Sequence, residues 1–245
     1  MHDKLEKCDN YIKISQWLKL KFKTSLILLE EVDREENPNL QELWSSSEHT
    51  QELKKIYLEY NQIIEPIDIR PLLLVYNWEV YDSIKDNNCE LYEYLSLIDE
   101  FFCIKNKYCI KKIKDNYCYN YLKTNNLGKH FLKIKNIYSL FLKKYKQFLK
   151  IKIDYLYNNN KILLENINDI INNIMEWYIC AMIDSNNDKS IITHTGLYHS
   201  DKILNLLKEY YNYNIINESG INNMNNINNI KNGCISISNN LDNKF

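Results

Sequence analysis

The sequence predicts an α/β fold, a central, mostly parallel sheet flanked by helices, with a helical middle section. Three observations carry this expectation. Ser25 to Val32 (SLILLEEV) is an unbroken apolar run ending in two carboxylates, as a strand buried on both faces would read. Ile191 to Thr195 is a β-branched run that breaks at Gly196 and gives way to helical periodicity. Long amphipathic stretches separate the apolar runs, and strands alternating with helices favour parallel pairing.

Taken in order, residues 3–22 read as an amphipathic helix with Leu5, Cys8, Ile12, Trp17 and Leu18 near one face. The Ser25 to Val32 strand follows and delivers Glu30 and Glu31 to its end. Asn37-Pro38 opens a helical region through about Tyr60, with the asparagine as cap and the proline at the first helical position. Ile63 to Ile69 is a second strand, ending in Asp68-Ile69-Arg70-Pro71. From Leu72 to Phe102 the pattern is mostly helical, with Leu91, Leu95, Ile98 and Phe102 on one stripe.

Ile104 to Asn126 is rich in lysine and tyrosine and lacks a clear period. Lys129 to Leu156 reads as one long helix carrying Ile134, Tyr138, Phe141, Tyr145 and Phe148 opposite lysines. Lys161 to Ile183 reads as another, with Leu163, Ile167, Ile170, Ile174 and Tyr178. After the strand at Ile191, Gly196 permits a tight or left-handed turn, and Ser200-Asp201 can cap the helix of Ile203, Leu204, Leu207 and Tyr210. Tyr213 to Ile216 reads as a further strand. The expected organisation is one α/β domain over 1–218, in which about 104–160 is a helical, Lys/Tyr-rich insertion. An Asn-rich tail over 219–245 is expected to be disordered.

Composition narrows the class. Thirty-one basic against 32 acidic residues give a net charge of −1, which argues against a protein devoted to nucleic acid, although the middle is locally basic. Seven scattered cysteines form no CxxC pair and suit reduced thiols in a cytoplasmic protein. No apolar run reaches the roughly 18 residues of a membrane span, and no membrane partner is expected. Heavy use of Ile, Lys, Asn and Tyr suits an AT-rich genome, such as that of a large DNA virus or a protist.

Polar clusters stand where strands are expected to stop: Glu30 with Glu31, Asp68 with Arg70, and His194 with His199, joined by His2-Asp3 at the start. Imidazoles and carboxylates converging from separate strand ends are what a divalent metal such as Zn²⁺ or Mn²⁺ requires. His199 would lie in the crevice at the carboxyl end of a strand, where open α/β sheets bind ligands.

This ordered set resembles the superfamily of ChaN-like haem-uptake proteins, erythromycin-esterase-like enzymes and TraB/Tiki proteins. The resemblance is closest to divergent members from large DNA viruses of eukaryotes, which also show a "DIR" and a "YAGxxH" segment. His2, followed by Asp3, matches the family's first histidine; Glu30 or Glu31 matches its strand-end glutamate. Asp68-Ile69-Arg70 matches "DIR", and Gly196-Leu197-Tyr198-His199 matches the second Gly-x-x-His. The resemblance implies an α/β fold and a metal-dependent hydrolase, with His2, Glu30, Glu31 and His199 as metal ligands. Asp68 and Arg70 would be catalytic, Arg70 orienting an anionic substrate.

The family's first strand, with its Gly-Glu, would lie before His2, so coding sequence upstream of Met1 or a truncated copy is expected. Met182 stands where the viral relatives tend to carry an arginine. Haem is not supported, because no CxxCH is present.

Each position also has a plainer reading. His199 can be a turn histidine and His194 a packing residue; Glu30 and Glu31 alternate in facing, so at most one enters a shared site. Asp68 and Arg70 share a face at period two and can be a structural ion pair. The Tyr138 to Phe148 stripe reads as core and the lysines beside it as a solvated face. A non-catalytic scaffold binding a protein partner through the basic, aromatic middle is the alternative function. No RNP, KH or zinc-knuckle pattern supports nucleic acid there.

Overall fold

The computed structural model describes residues 12–31, 48–74, 89–102 and 126–216. The elements are α1 (Ile14–Lys21), β1 (Ser25–Leu29), α2 (Glu48–Glu59), β2 (Ile64–Pro66), α3 (Leu91–Tyr94), α4 (Ser96–Phe102), α5 (Asn126–Lys144), α6 (Ile153–Asn159), α7 (Lys161–Ser185), β3 (Ser190–His194) and α8 (Leu197–Tyr211). The α/β class expected from the sequence is what the chain adopts: an all-parallel, three-stranded sheet with flanking helices. The chain divides into two compact units, one of Met1–Ile67 with Asn186–Phe245 and one of Asp68–Ser185.

The first unit is built on the sheet, whose strand order is β2-β1-β3. β1 is central because SLILL is apolar at every position after Ser25: Ile27 and Leu28 are fully buried, so neither face tolerates water. Its register pairs Ile27 with Ile64 on one side and Ile27 with Ile192 on the other. Ile27, Leu29 and Ile64 pack with Leu18 of α1 and with Leu53, Ile56 and Tyr57 of α2. α1 needs Leu18 inward and its lysines outward, and Lys13 and Ser15 reach Glu52 of α2 to fix the pair of helices.

β2 is shorter than the expected Ile63 to Ile69 strand. Pro66 has no N–H to donate, and pairing ends there except for the Ile67 N–H, which reaches the Leu29 carbonyl at 3.0 Å.

The second unit is helical. α7 is buried along most of its length from Ile170 to Ile183, and Trp177 is its anchor. The indole N–H donates to the Leu127 carbonyl at 3.1 Å, and the ring meets Phe101 and Phe131 at 5.9 and 5.2 Å. Phe102, Tyr138, Phe141 and Tyr145 continue this ladder, and Tyr138 donates its hydroxyl to Asp99 at 2.8 Å. The tyrosine stripe is therefore core. Leu91, Leu95, Ile98 and Phe102, expected on one stripe, are all buried. Burial holds the Cys180 thiol far above its ordinary range, which keeps it protonated and inert.

Three further elements differ from expectation. The long helix foreseen over Lys129 to Leu156 ends at Lys144, passes through a 3-10 turn at Lys146–Phe148 and restarts as α6. The backbone between them pairs elsewhere: Leu91 and Tyr92 donate to the carbonyls of Ile151 and Leu149, and Ile153 donates to Cys89. Tyr213 to Ile216 is not a strand. Asn212, at φ 57°, takes the left-handed conformation that asparagine tolerates, and its N–H and that of Tyr213 close α8 onto the Leu207 carbonyl. α8 itself starts at Leu197, so Ser200 and Asp201 lie inside the helix and do not cap it. The Asn37-Pro38 helix start, the Ile104 to Asn125 stretch and the 219–245 tail lie outside the described residues.

Candidate functional site

In the first unit the strand order reverses beside β1: the chain passes from β1 to β2 on one side and returns as β3 on the other. At such a reversal the connections leaving the two adjacent strands diverge and open a crevice at their carboxyl ends. Glu30 follows β1 and Gly196 lies two residues past β3, so both stand at the carboxyl ends of these adjacent strands, where such a crevice would lie.

Backbone pairing builds the site. The Glu30 N–H donates to the His194 carbonyl at 2.9 Å, extending the β1–β3 ladder by one residue, and the Glu31 N–H turns back to the Leu29 carbonyl at 2.7 Å. This three-residue turn ends the strand. The Glu30 carboxylate then meets the start of α8. Its Oε2 accepts the Gly196 N–H at 2.7 Å, while Oε1 stands 3.8 Å from His199 Nε2. A carboxylate is the natural partner for a helix start, where backbone N–H groups lack acceptors and the helix dipole is positive.

Gly196 precedes the helix at φ −58° and ψ 152°, extended backbone that any residue adopts. The left-handed conformation that a glycine permits here is not used. A Cβ here would come 3.6 Å from Glu30 Oε2, an ordinary contact.

His199 is the third residue of α8 and is buried; its ring meets Tyr198 edge-on at 5.2 Å. Beside it, the Thr195 and Ser200 hydroxyls bond at 2.7 Å, and the Ser200 N–H donates to the Gly196 carbonyl. Sequence reasoning missed Gly196 as a donor and the Thr195–Ser200 pair. The helix start was the available signal for the first; the second depends on where α8 begins.

Of the residues singled out from the sequence, Glu30 and His199 come together. Glu31 is buried, and His194, at a period-two position, shares the strand face of Ile192, which packs on the apolar cluster. His2 lies outside the described residues.

Asp68 and Arg70, in the second unit, clasp each other. Asp68 Oδ1 accepts Arg70 Nε at 2.8 Å and the Arg70 backbone N–H at 3.1 Å, and Oδ2 accepts Nη2 at 2.7 Å. Nη1 of Arg70 donates to Asn172 at 3.3 Å. This two-pronged geometry is that of a strong ion pair, and it fixes the turn that follows β2.

The donor set can be tested against a metal. Two bonds of about 2.1 Å span up to ~4.2 Å, so an imidazole nitrogen and a carboxylate oxygen 3.8 Å apart reach one ion. The Gly196 N–H on Oε2 is a hydrogen bond of the kind that orients a carboxylate wherever one serves as a metal ligand. Among the described residues no group of three or more His, Cys, Asp or Glu gathers to hold a metal, so Glu30 and His199 supply two donors. No family model, curated protein or solved structure matches the chain.

Proposed function

We propose that the chain is a divergent ChaN/Tiki-like protein of the kind found in large DNA viruses, working in the cytoplasm as a divalent-metal-dependent hydrolase. The observation that supports this reading is the approach of Glu30 Oε1 to His199 Nε2 at 3.8 Å, at the carboxyl ends of adjacent parallel strands. Glu30 and His199 would hold Zn²⁺ or Mn²⁺, with His2 as the further ligand. Such an ion supplies a water whose pKa falls towards about 7, a nucleophile at neutral pH.

The chain's own groups do the positioning. The Gly196 N–H fixes Oε2 and leaves Oε1 directed to the imidazole. The ladder bond from Glu30 to His194 ties the carboxylate to the rigid sheet, so the two donors move together. Asp68 and Arg70 engage each other, and the reading gives them no step.

The test is elemental analysis of the purified chain and of the His199→Ala and Glu30→Gln variants. Near-stoichiometric Zn or Mn, lost in both variants, is the expected result. A folded protein without metal after reconstitution with either ion overturns the reading.

A second reading, a non-catalytic scaffold that binds a partner through its helical middle, draws on one observation. From Asn126 to Lys152 there are eight lysines and no acidic residue.

A further inference from the structure

The charge of this chain is not spread evenly. Between Ile104 and Lys152 stand fourteen lysines against one acid, Asp115, so this stretch carries +13 in a chain whose net charge is −1. The described part of it is α5 with the 3-10 turn that follows, and its side chains sort sharply. Phe131, Ile134, Tyr138 and Phe141 are buried in the aromatic ladder. Lys129, Lys133 and Lys143 are exposed on the other side. Among them lie Leu132, Ile137 and Leu140, exposed by 57, 40 and 66%. The outer face of α5 is therefore both cationic and aliphatic, and its inner face is already used.

We propose that this outer face docks on an anionic lipid bilayer surface, the lysines lying over the headgroups and the three aliphatic side chains inserting between them. The proposal specifies the partner of the scaffold reading and does not depend on the metal site. Its chemistry selects among anionic partners. Nucleic acid offers phosphates to lysine but takes up apolar side chains mainly by stacking, and the aromatic residues of α5 are buried. Protein interfaces deplete lysine, a strongly hydrated point charge, and favour arginine and exposed aromatics. A bilayer surface rewards what is present: diffuse attraction by lysine and shallow burial of aliphatic carbon. No spanning helix is needed, and among the described residues none is long and apolar enough to cross a membrane.

The test is co-sedimentation of the full chain with phosphatidylcholine vesicles, with vesicles containing about a third phosphatidylserine, and with a single-stranded RNA oligomer as competitor. Binding to the anionic vesicles alone, weakened by salt, is expected. Each lysine contributes about a fivefold factor near such a surface, so K129Q/K133Q/K143Q should lower partitioning by about a hundredfold. L132S/L140S should lower it as well, while leaving its salt dependence unchanged. All five positions are exposed, so circular dichroism of both variants should match the native chain.

Equal binding to neutral and anionic vesicles, no binding to either, or no effect of both variants overturns the proposal. So does RNA that binds through these lysines and displaces the vesicles. Metal content of the lysine variant, unchanged in every case, keeps this outcome separate from that of the hydrolase reading.

Discussion

Replacing Glu30 by Gln keeps the size of the side chain and removes its charge at the start of α8. The native carboxylate accepts the Gly196 N–H at 2.7 Å with its side chain 19% exposed, so solvent screens the interaction only in part. Hydrogen bonds to charged groups contribute roughly 1.5–3 kcal/mol and those between neutral groups roughly 0.5–1.5, a difference of about 1 kcal/mol. The charge also faces the positive end of a fifteen-residue helix, an interaction of about 0.3–1 kcal/mol that overlaps the first term. E30Q should therefore cost about 1 kcal/mol. Hydrogen exchange over residues 195–203 is the local assay, because opening the helix start exposes those amides before the sheet opens. The expected result is a loss of protection of about fivefold in that segment, with β1 peptides unchanged. Glu30→Asp, one methylene shorter, should lose protection to a similar degree. Native protection in both variants would refute the claim that this carboxylate holds the helix start.

Further outcomes follow from the second unit. Burial raises the Asp184 pKa above its ordinary range, at the last turn of α7, where the helix dipole also disfavours negative charge. A carboxylate with a raised native pKa contributes stability below the unfolded value that is lost as pH rises through the native one. Asp184→Asn should match the native chain below about pH 3.9 and exceed it by about 0.5 kcal/mol at neutral pH, read from urea midpoints across pH. Trp177→Phe should cost about 2 kcal/mol, because it leaves the buried Leu127 carbonyl without its indole donor and opens space beside Phe131. Thermal unfolding within 1 °C of native would contradict that role.

Much of the sheet was legible because its strands are written without ambiguity. SLILL is short and apolar throughout, as a central strand reads, and Ser190 to His194 carries three β-branched residues in a row, Ile191, Ile192 and Thr193. The approach of Glu30 and His199 was legible in part, since Glu30 follows β1 directly and His199 lies in the first turn of the helix that follows β3. The Asp68–Arg70 pair was visible from its spacing, but its third member, Asn172, lies a hundred residues away on α7 and carries no local signal. The break of the long helix after Lys144 was not legible. The apolar spacing of Tyr145 and Phe148 continues through the 3-10 turn, and the cause, pairing of Leu149 and Ile151 with Leu91 and Tyr92, is non-local. The start of α8 was misplaced because Ser200-Asp201 has the composition of a cap. The carboxylate that serves the helix start comes from another strand.

The central claim, that the β1–β3 crevice is a metal site, is tested most directly by adding Mn²⁺ to isotopically labelled protein. A paramagnetic ion broadens resonances within its reach, so the signal reports position as well as occupancy. Selective, substoichiometric loss of the Gly196 amide and His199 imidazole signals, abolished in Glu30→Gln, is the predicted result. Uniform broadening, or loss confined to other residues, would contradict it.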